Sequence, residues 1–152
     1  MSYGRFAAMI GTSTVVMFAL MYLNTYSLQH VLWSETRAWM ALVMGATMSC
    51  IMLAFMRDMY TNRRVNLSII AAAVAVFAGA LWLVRSQATV EDVDYLRAMV
   101  PHHSVAILTS RRARIDDARV RALADQIIAS QEREIREMKQ LIDDLQQGNR
   151  KN

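Results

Sequence analysis

"LSIIAAAVAVFAGALWLVRSQATVEDVDYL", residues 67–96, changes character halfway along. From Leu67 to Val84 it carries no charge, and Ser68 is its single conventionally polar residue. Such a run matches the roughly 18–20 apolar residues needed to cross a hydrocarbon core about 30 Å thick. After Arg85, Ser86, Gln87 and Ala88 the acids Glu91, Asp92 and Asp94 arrive in quick succession. A membrane-spanning helix therefore gives way almost at once to a water-soluble one. Thr89, with Asp92 three residues on, resembles a capping box that starts the second helix.

Working outward toward the N-terminus, two further charge-free runs have spanning length, so the spans are expected at about 6–23, 38–56 and 67–84 within a membrane region 1–88. The first has one basic residue ahead of it, Arg5, and is followed by "NTYSLQH" with no small-x-small cleavage site, which makes it a retained anchor and not a signal peptide. Composition agrees with an all-α chain: of 152 residues 55% are hydrophobic, with five Gly and one Pro. Cys50 has no intrachain partner for a disulfide.

The formal charge of +4 belongs to the apolar half. Residues 86–152 hold 11 basic and 11 acidic side chains, and residues 1–85 hold six Arg against Glu35 and Asp58. No basic stripe with interleaved aromatics is left to bind nucleic acid. Arg5 before the first span and Arg57, Arg63 and Arg64 between the second and third predict a cytoplasmic N-terminus and second loop. After three crossings the C-terminal domain is then extracytoplasmic, periplasmic in an inner (plasma) membrane of bacterial type. Trp33, Trp39 and Trp82 fall near that outer boundary, as interfacial anchors do.

Residues 89–147 read as a helical hairpin, with 148–152 as a short tail. The first arm is expected from about Val90 to Arg112, and "RIDD" supplies a turn in which Asp116 or Asp117 caps the second arm. That arm is expected to run to about Gln147 and to stop at Gly148. A 4-3 spacing places Val120, Ala124, Ile127, Gln131, Glu134, Met138, Leu141 and Leu145 on its seam, and Leu96, Met99, His103, Ala106 and Ser110 on the facing one. His102 flanks His103. If Ala113 and Asp117 are level across the turn, Met99 comes opposite Gln131, with His103 and Glu134 within about a turn of those levels. Charges at i, i+4, namely Glu132–Arg136, Arg133–Glu137 and Lys139–Asp143, suggest a solvated outer face.

Imidazoles and a carboxylate in a helix seam are costly unless paired or bound to a metal. A thioether with one or two imidazoles is the donor set expected for copper, Cu(I) in particular. Pro101 lacks an N–H, frees the carbonyl of Arg97 and is expected to loosen the helix beside the histidines. A His–Glu or His–Gln hydrogen bond, with Met99 and Met138 as core filler, accounts for the same residues without an ion. Two histidines, a methionine and an interrupted partner seam favour the metal.

"DVDYLRAMVPHHSVAILTS" followed by "RVRALADQIIASQEREIREMKQLI" resembles the domain of unknown function family 305 (DUF305). The matching positions are Asp94, Met99, Pro101, His102, His103, Gln131, Glu134, Ile135 and Met138, over about residues 90–146. The resemblance implies a ferritin-like helical fold, extracytoplasmic placement and, for some members, copper binding through His and Met. The domain holds two methionines, Met99 and Met138, and no histidine beyond His103, so one or very few ions per chain is the expectation. One hairpin buries a single face, and pairing of two into a four-helix bundle predicts a homodimer or larger homo-oligomer.

Met40, Met44, Met48, Met52 and Met56 recur every fourth residue in the second span. A thioether ladder for Cu(I), with Cys50 and His30 nearby, is one reading; adaptable packing beside Gly45, Ala46 and Ser49 is the more economical one. With no Asp, Glu, Lys, Arg or His inside a span, proton-coupled transport is not expected. Neither is an enzyme: the chain has no Ser–His–Asp arrangement, no phosphate-cradling glycine loop and no pair of Glu-x-x-His helices. The expected function is a membrane-anchored, extracytoplasmic metal-binding protein, for copper tolerance or delivery to a copper-handling partner. Its ligands come from Met99, His102, His103, Gln131, Glu134 and Met138, with Asp94 as a supporting partner of an imidazole. The alternative is a structural or signalling membrane protein whose hairpin mediates oligomerisation without metal.

Overall fold

The structure, a computed structural model, describes residues 2–149; the tail positions 150–152 and Met1 lie outside the described residues. It is all-α, with α1 Tyr3–Leu20, α2 Glu35–Phe55, α3 Arg63–Ser86, α4 Asp92–Arg112 and α5 Ala118–Asn149, and one 3-10 turn at Leu28–His30. Among the described residues there is no strand. The chain divides into two compact units: Met1–Met21 with Thr36–Thr89, and Tyr22–Glu35 with Val90–Asn152.

The first unit holds three helices of 18, 21 and 24 residues, each long and apolar enough to cross a membrane. They start earlier than the charge-free runs because polar residues cap them. Ser2 Oγ accepts from the Arg5 N–H, and Asn62 Oδ1 accepts from the N–H groups of Arg64 and Val65. Charges inside these helices are confined to end turns, as with Arg5, Arg63, Arg64 and Arg85. Arg37 Nη1 donates to the Met21 carbonyl at 2.7 Å, satisfying a C-terminal acceptor beyond α1. At the other end Gln87 closes α3 in the left-handed region, φ 54°.

Within this unit α2 buries Ala41, Gly45, Ala46, Ser49 and Leu53. The methionines lie beside that small-residue face, not on it, and Met52 and Met56 pack against the cluster of Phe6, Leu53 and Tyr60. A Cβ on Gly45 would collide with the Thr14 side chain, so glycine is what lets α1 and α2 approach here. Many of the large apolar residues face outward, Val15, Ile51, Phe55, Leu67 and Trp82 among them, as lipid-facing residues do.

In the second unit α4 and α5 form the expected hairpin, but its register differs. Val100 and Ile107 of α4 meet Ile135 and Met138 of α5, with Leu96, Met99 and Ile128 packed around them. The buried line on α5 is Ala124, Ile135, Met138 and Ile142: Ala124 and Met138 keep their expected places, while Ile135 and Ile142 replace Glu134 and Leu141. Val120, Ile127, Leu141 and Leu145 are exposed. On α4, Val100 and Ile107 take the centre and His103 moves to the edge of the seam. The reason is chemical: a one-residue shift puts Ile135 in place of Glu134, Val100 in place of Met99 and the hydrogen-bonded Ser104 in place of His103, which removes the desolvation cost of the carboxylate and the imidazole.

The hairpin ends also differ in detail. Asp117 caps α5, its Oδ1 accepting from the N–H groups of Arg119 and Val120. Its carboxyl is held below the ordinary aspartate range first by the Arg119 side chain. The Thr89–Asp92 capping box does not start α4, which begins at Asp92 with Glu91 in the cap position and no side-chain cap bond. Asp92 and Asp94 in the first turn and Arg111 and Arg112 in the last complement the helix dipole instead. Gly148 does not stop α5; the helix passes through it to Asn149. Nor does Pro101 break α4, which runs through it and buries it.

Tyr22–Glu35, expected as a bare connection between spans, packs on the hairpin. Ser104 of α4 is fully buried, and its Oγ accepts from the Tyr26 N–H at 2.7 Å and lies 2.9 Å from His30 Nδ1. Leu32 packs against the hairpin core. Arg111 donates to the Tyr26 hydroxyl at 2.9 Å, its guanidinium 4.9 Å from the ring centre.

Candidate metal centre

His103 projects from the middle of α4, with Met99 one turn before it. Its Nδ1 lies 2.9 Å from the Met99 carbonyl, so the ring donates there and Nε2 is the nitrogen presented across the seam. Nε2 is 2.9 Å from Glu134 Oε2 on α5. Both ring nitrogens thus face oxygen atoms, Nδ1 the Met99 carbonyl and Nε2 the Glu134 carboxylate. The side chains are 17% and 38% exposed, so solvent reaches the carboxylate while the imidazole is largely enclosed.

Glu134 is held from its own helix as well: Ser130 Oγ donates to Oε1 at 2.6 Å. That hydrogen bond, opposed by partial desolvation and aided by His103, keeps the carboxyl below the ordinary glutamate range. Glu134 is therefore an anion with one oxygen fixed and the other turned to His103.

The remaining expected ligands surround this pair unevenly. His102 is exposed, its ring 6.0 Å from that of His103 and nearly edge-on. Met99 and Met138 belong to the same apolar cluster at the seam, Met138 buried and Met99 partly so. Gln131 is half-buried on α5, one turn before Glu134. Asp94 lies 3.9 Å from Arg97 in an ion pair along α4, and among the described residues no ion pair joins it to an imidazole.

Among the described residues no three His, Cys, Asp or Glu side chains converge as a metal site would require. A centre built here needs thioether or amide donors beside His103 and Glu134, which is the soft, mixed set that suits copper better than a hard cation. The fit rests on the histidine: a ligating imidazole usually donates its second N–H to a carbonyl or carboxylate, and Met99 supplies that carbonyl. His103 Nε2, which already meets Glu134, would then be the nitrogen that holds the ion.

Two functional features escaped the sequence reading. Ser130, which orients Glu134, has the i, i+4 relation that signals such a bond but is a common helix residue. The docking of His30 through Ser104 joins residues 74 apart and leaves no local signal. Burial, and then the charge of Lys139, push the His30 imidazole below its ordinary range, which favours the neutral ring in its hydrogen bond with Ser104.

Residues 83–152 match the model of the family described as "Domain of unknown function (DUF305)". The chain is also 40% identical over 72 residues to "Uncharacterized protein L153" of Acanthamoeba polyphaga mimivirus, a stretch covering 46% of this chain and 47% of that protein. The chain thus spans about half the length of the curated relative it matches. No solved structure matches it. The hairpin that carries His102, His103 and Glu134 thus lies within the stretch, residues 83–152, that matches the DUF305 family model.

Proposed function

We propose that this protein is a membrane-anchored metal-binding module, specific for copper, whose DUF305 hairpin works on the extracytoplasmic side of a bacterial-type inner membrane. The observation that carries the reading is His103: its Nδ1–H is fixed on the Met99 carbonyl, and its Nε2 faces an ionised carboxylate at the edge of a seam that also holds two thioethers. His102, Gln131 and Met138 complete or orient the site, and one or very few ions bind per chain. A bound copper would supply a reversible soft-ligand store, suited to tolerance or to delivery to a partner protein, with no catalysis required of the chain.

The topology has independent support. Arg57, Arg63 and Arg64 favour the cytoplasm for the second loop. Three crossings put Tyr22–Glu35 and the hairpin on one side, consistent with their packing in a single unit. The test is competition of the full-length protein against a Cu(I) chelator. The wild type retains about one copper per chain or per dimer, and H102A/H103A loses it; no retention by the wild type above background overturns the reading.

A second reading, a hairpin that oligomerises without metal, is favoured by the exposed apolar line of Val120, Leu123, Ile127, Leu141 and Leu145 on α5. A second copy of the hairpin would cover it as a four-helix bundle. Assembly lost by H102A/H103A in metal-free buffer supports this second reading, and assembly retained while copper is lost supports the first.

A further inference from the structure

Between the 3-10 turn and α5 lies a cavity of about 330 Å³ with His30, Arg136 and Lys139 on its wall. Ser27 and Gln29 add polar groups, and Ile107 and Ile135 form an apolar side. One acid borders it, Glu132, but Arg111 takes that carboxylate at 2.6 Å from outside the expected i, i+4 pattern. The result is that Arg136 loses its natural helical partner. Lys139 makes no ion pair with Asp143 either, and among the described residues neither cation has a carboxylate within salt-bridge distance. The other basic residues on the hairpin's ion pairs, Arg97, Arg111, Arg119 and Arg121, are engaged.

His30 is pinned in this wall. Its Nδ1 is occupied by the fully buried Ser104, which leaves Nε2 as the ring nitrogen available to the cavity. From these groups the geometry points to a phosphate-binding site, built from His30, Arg136 and Lys139, that takes a phosphate group either as a free oxyanion or as a lipid headgroup. Two unpaired cations of different shape, one planar and forked and one a point charge, recognise a phosphate from two directions, and an imidazole N–H adds a third donor. The groups facing His30 are Ser104 of α4, Tyr26 and Gln29 of its own segment, and Lys139, Arg136 and the neutralised Glu132 of α5. Repulsion from Lys139 and burial favour the neutral ring; an anion between them reverses the first effect and stabilises the charged one. None of its three residues is among the proposed copper ligands.

The test follows the His30 imidazole by long-range proton–nitrogen NMR in the full-length, metal-free protein. Inorganic phosphate raises its titration midpoint saturably while chloride at matched ionic strength does not, or nanodiscs containing phosphatidylglycerol do so relative to phosphatidylcholine alone. The first response assigns a free oxyanion and the second a headgroup. R136Q/K139Q weakens the response by about tenfold or more, and K139Q alone weakens it part-way, with helical circular dichroism unchanged. An identical midpoint in phosphate, chloride and both lipid mixtures, or a full response in the folded double variant, overturns the proposal.

Discussion

Glu134 is held by Ser130 on one oxygen and His103 on the other, and that division sets its response to acid. Its folded value lies below the ordinary 4.5, so its stabilising contribution is complete above that pH and is lost as pH falls from there through the lowered folded value. Urea midpoints of the wild type therefore decline on that acid limb, and E134Q, with no carboxyl to titrate, removes this part of the decline. Ser104 makes a different prediction. Its hydroxyl is fully buried and serves both the Tyr26 N–H and His30. S104A leaves that amide without its partner, costs about 1–3 kcal/mol, and is read as lost hydrogen-exchange protection at Tyr26. The residues of the first pair were legible in the sequence because His and Glu interrupt an apolar pattern. Ser104 was not, since a serine in a helix announces nothing until a distant loop uses it.

At the scale of helices, the register of the hairpin is open to a direct comparison. I107A removes a side chain that is 1% exposed in the centre of the seam and costs about 2–5 kcal/mol. I127A removes one that is 36% exposed and changes the stability of the single hairpin by no more than about 0.5 kcal/mol. Equal losses, measured by chemical denaturation, would restore the register read from spacing alone. In the first unit, G45A pushes a methyl group into Thr14 and lowers the thermal midpoint in detergent, and T14A partly restores it. The existence of all five helices was legible because long charge-free runs and 4-3 spacing are strong signals. The register was not, because α5 offers apolar neighbours at Ile127 and Ile128 and again at Leu141 and Ile142, and two adjacent stripes fit one spacing. Burial costs at Glu134 and His103 decide between them, and these appear only when both arms are placed together.

The whole molecule joins three candidate membrane spans to a hairpin within the stretch that matches the DUF305 model, with almost no linker, and returns the first interspan segment to that hairpin. The hairpin thus follows the third candidate span by a short connection, and the clamp at Ser104 ties the first interspan segment to it. The thioethers of Met99 and Met138 in the same seam and the Nδ1–H fixed on the Met99 carbonyl support one proposal, that His103 ligates copper. The most direct measurement is copper K-edge X-ray absorption of the copper-loaded, full-length protein beside H102A/H103A. The account predicts imidazole nitrogen and sulfur scattering in the wild type, with the imidazole contribution gone from the variant. A copper shell of oxygen alone, or an unchanged spectrum in the variant, would contradict it.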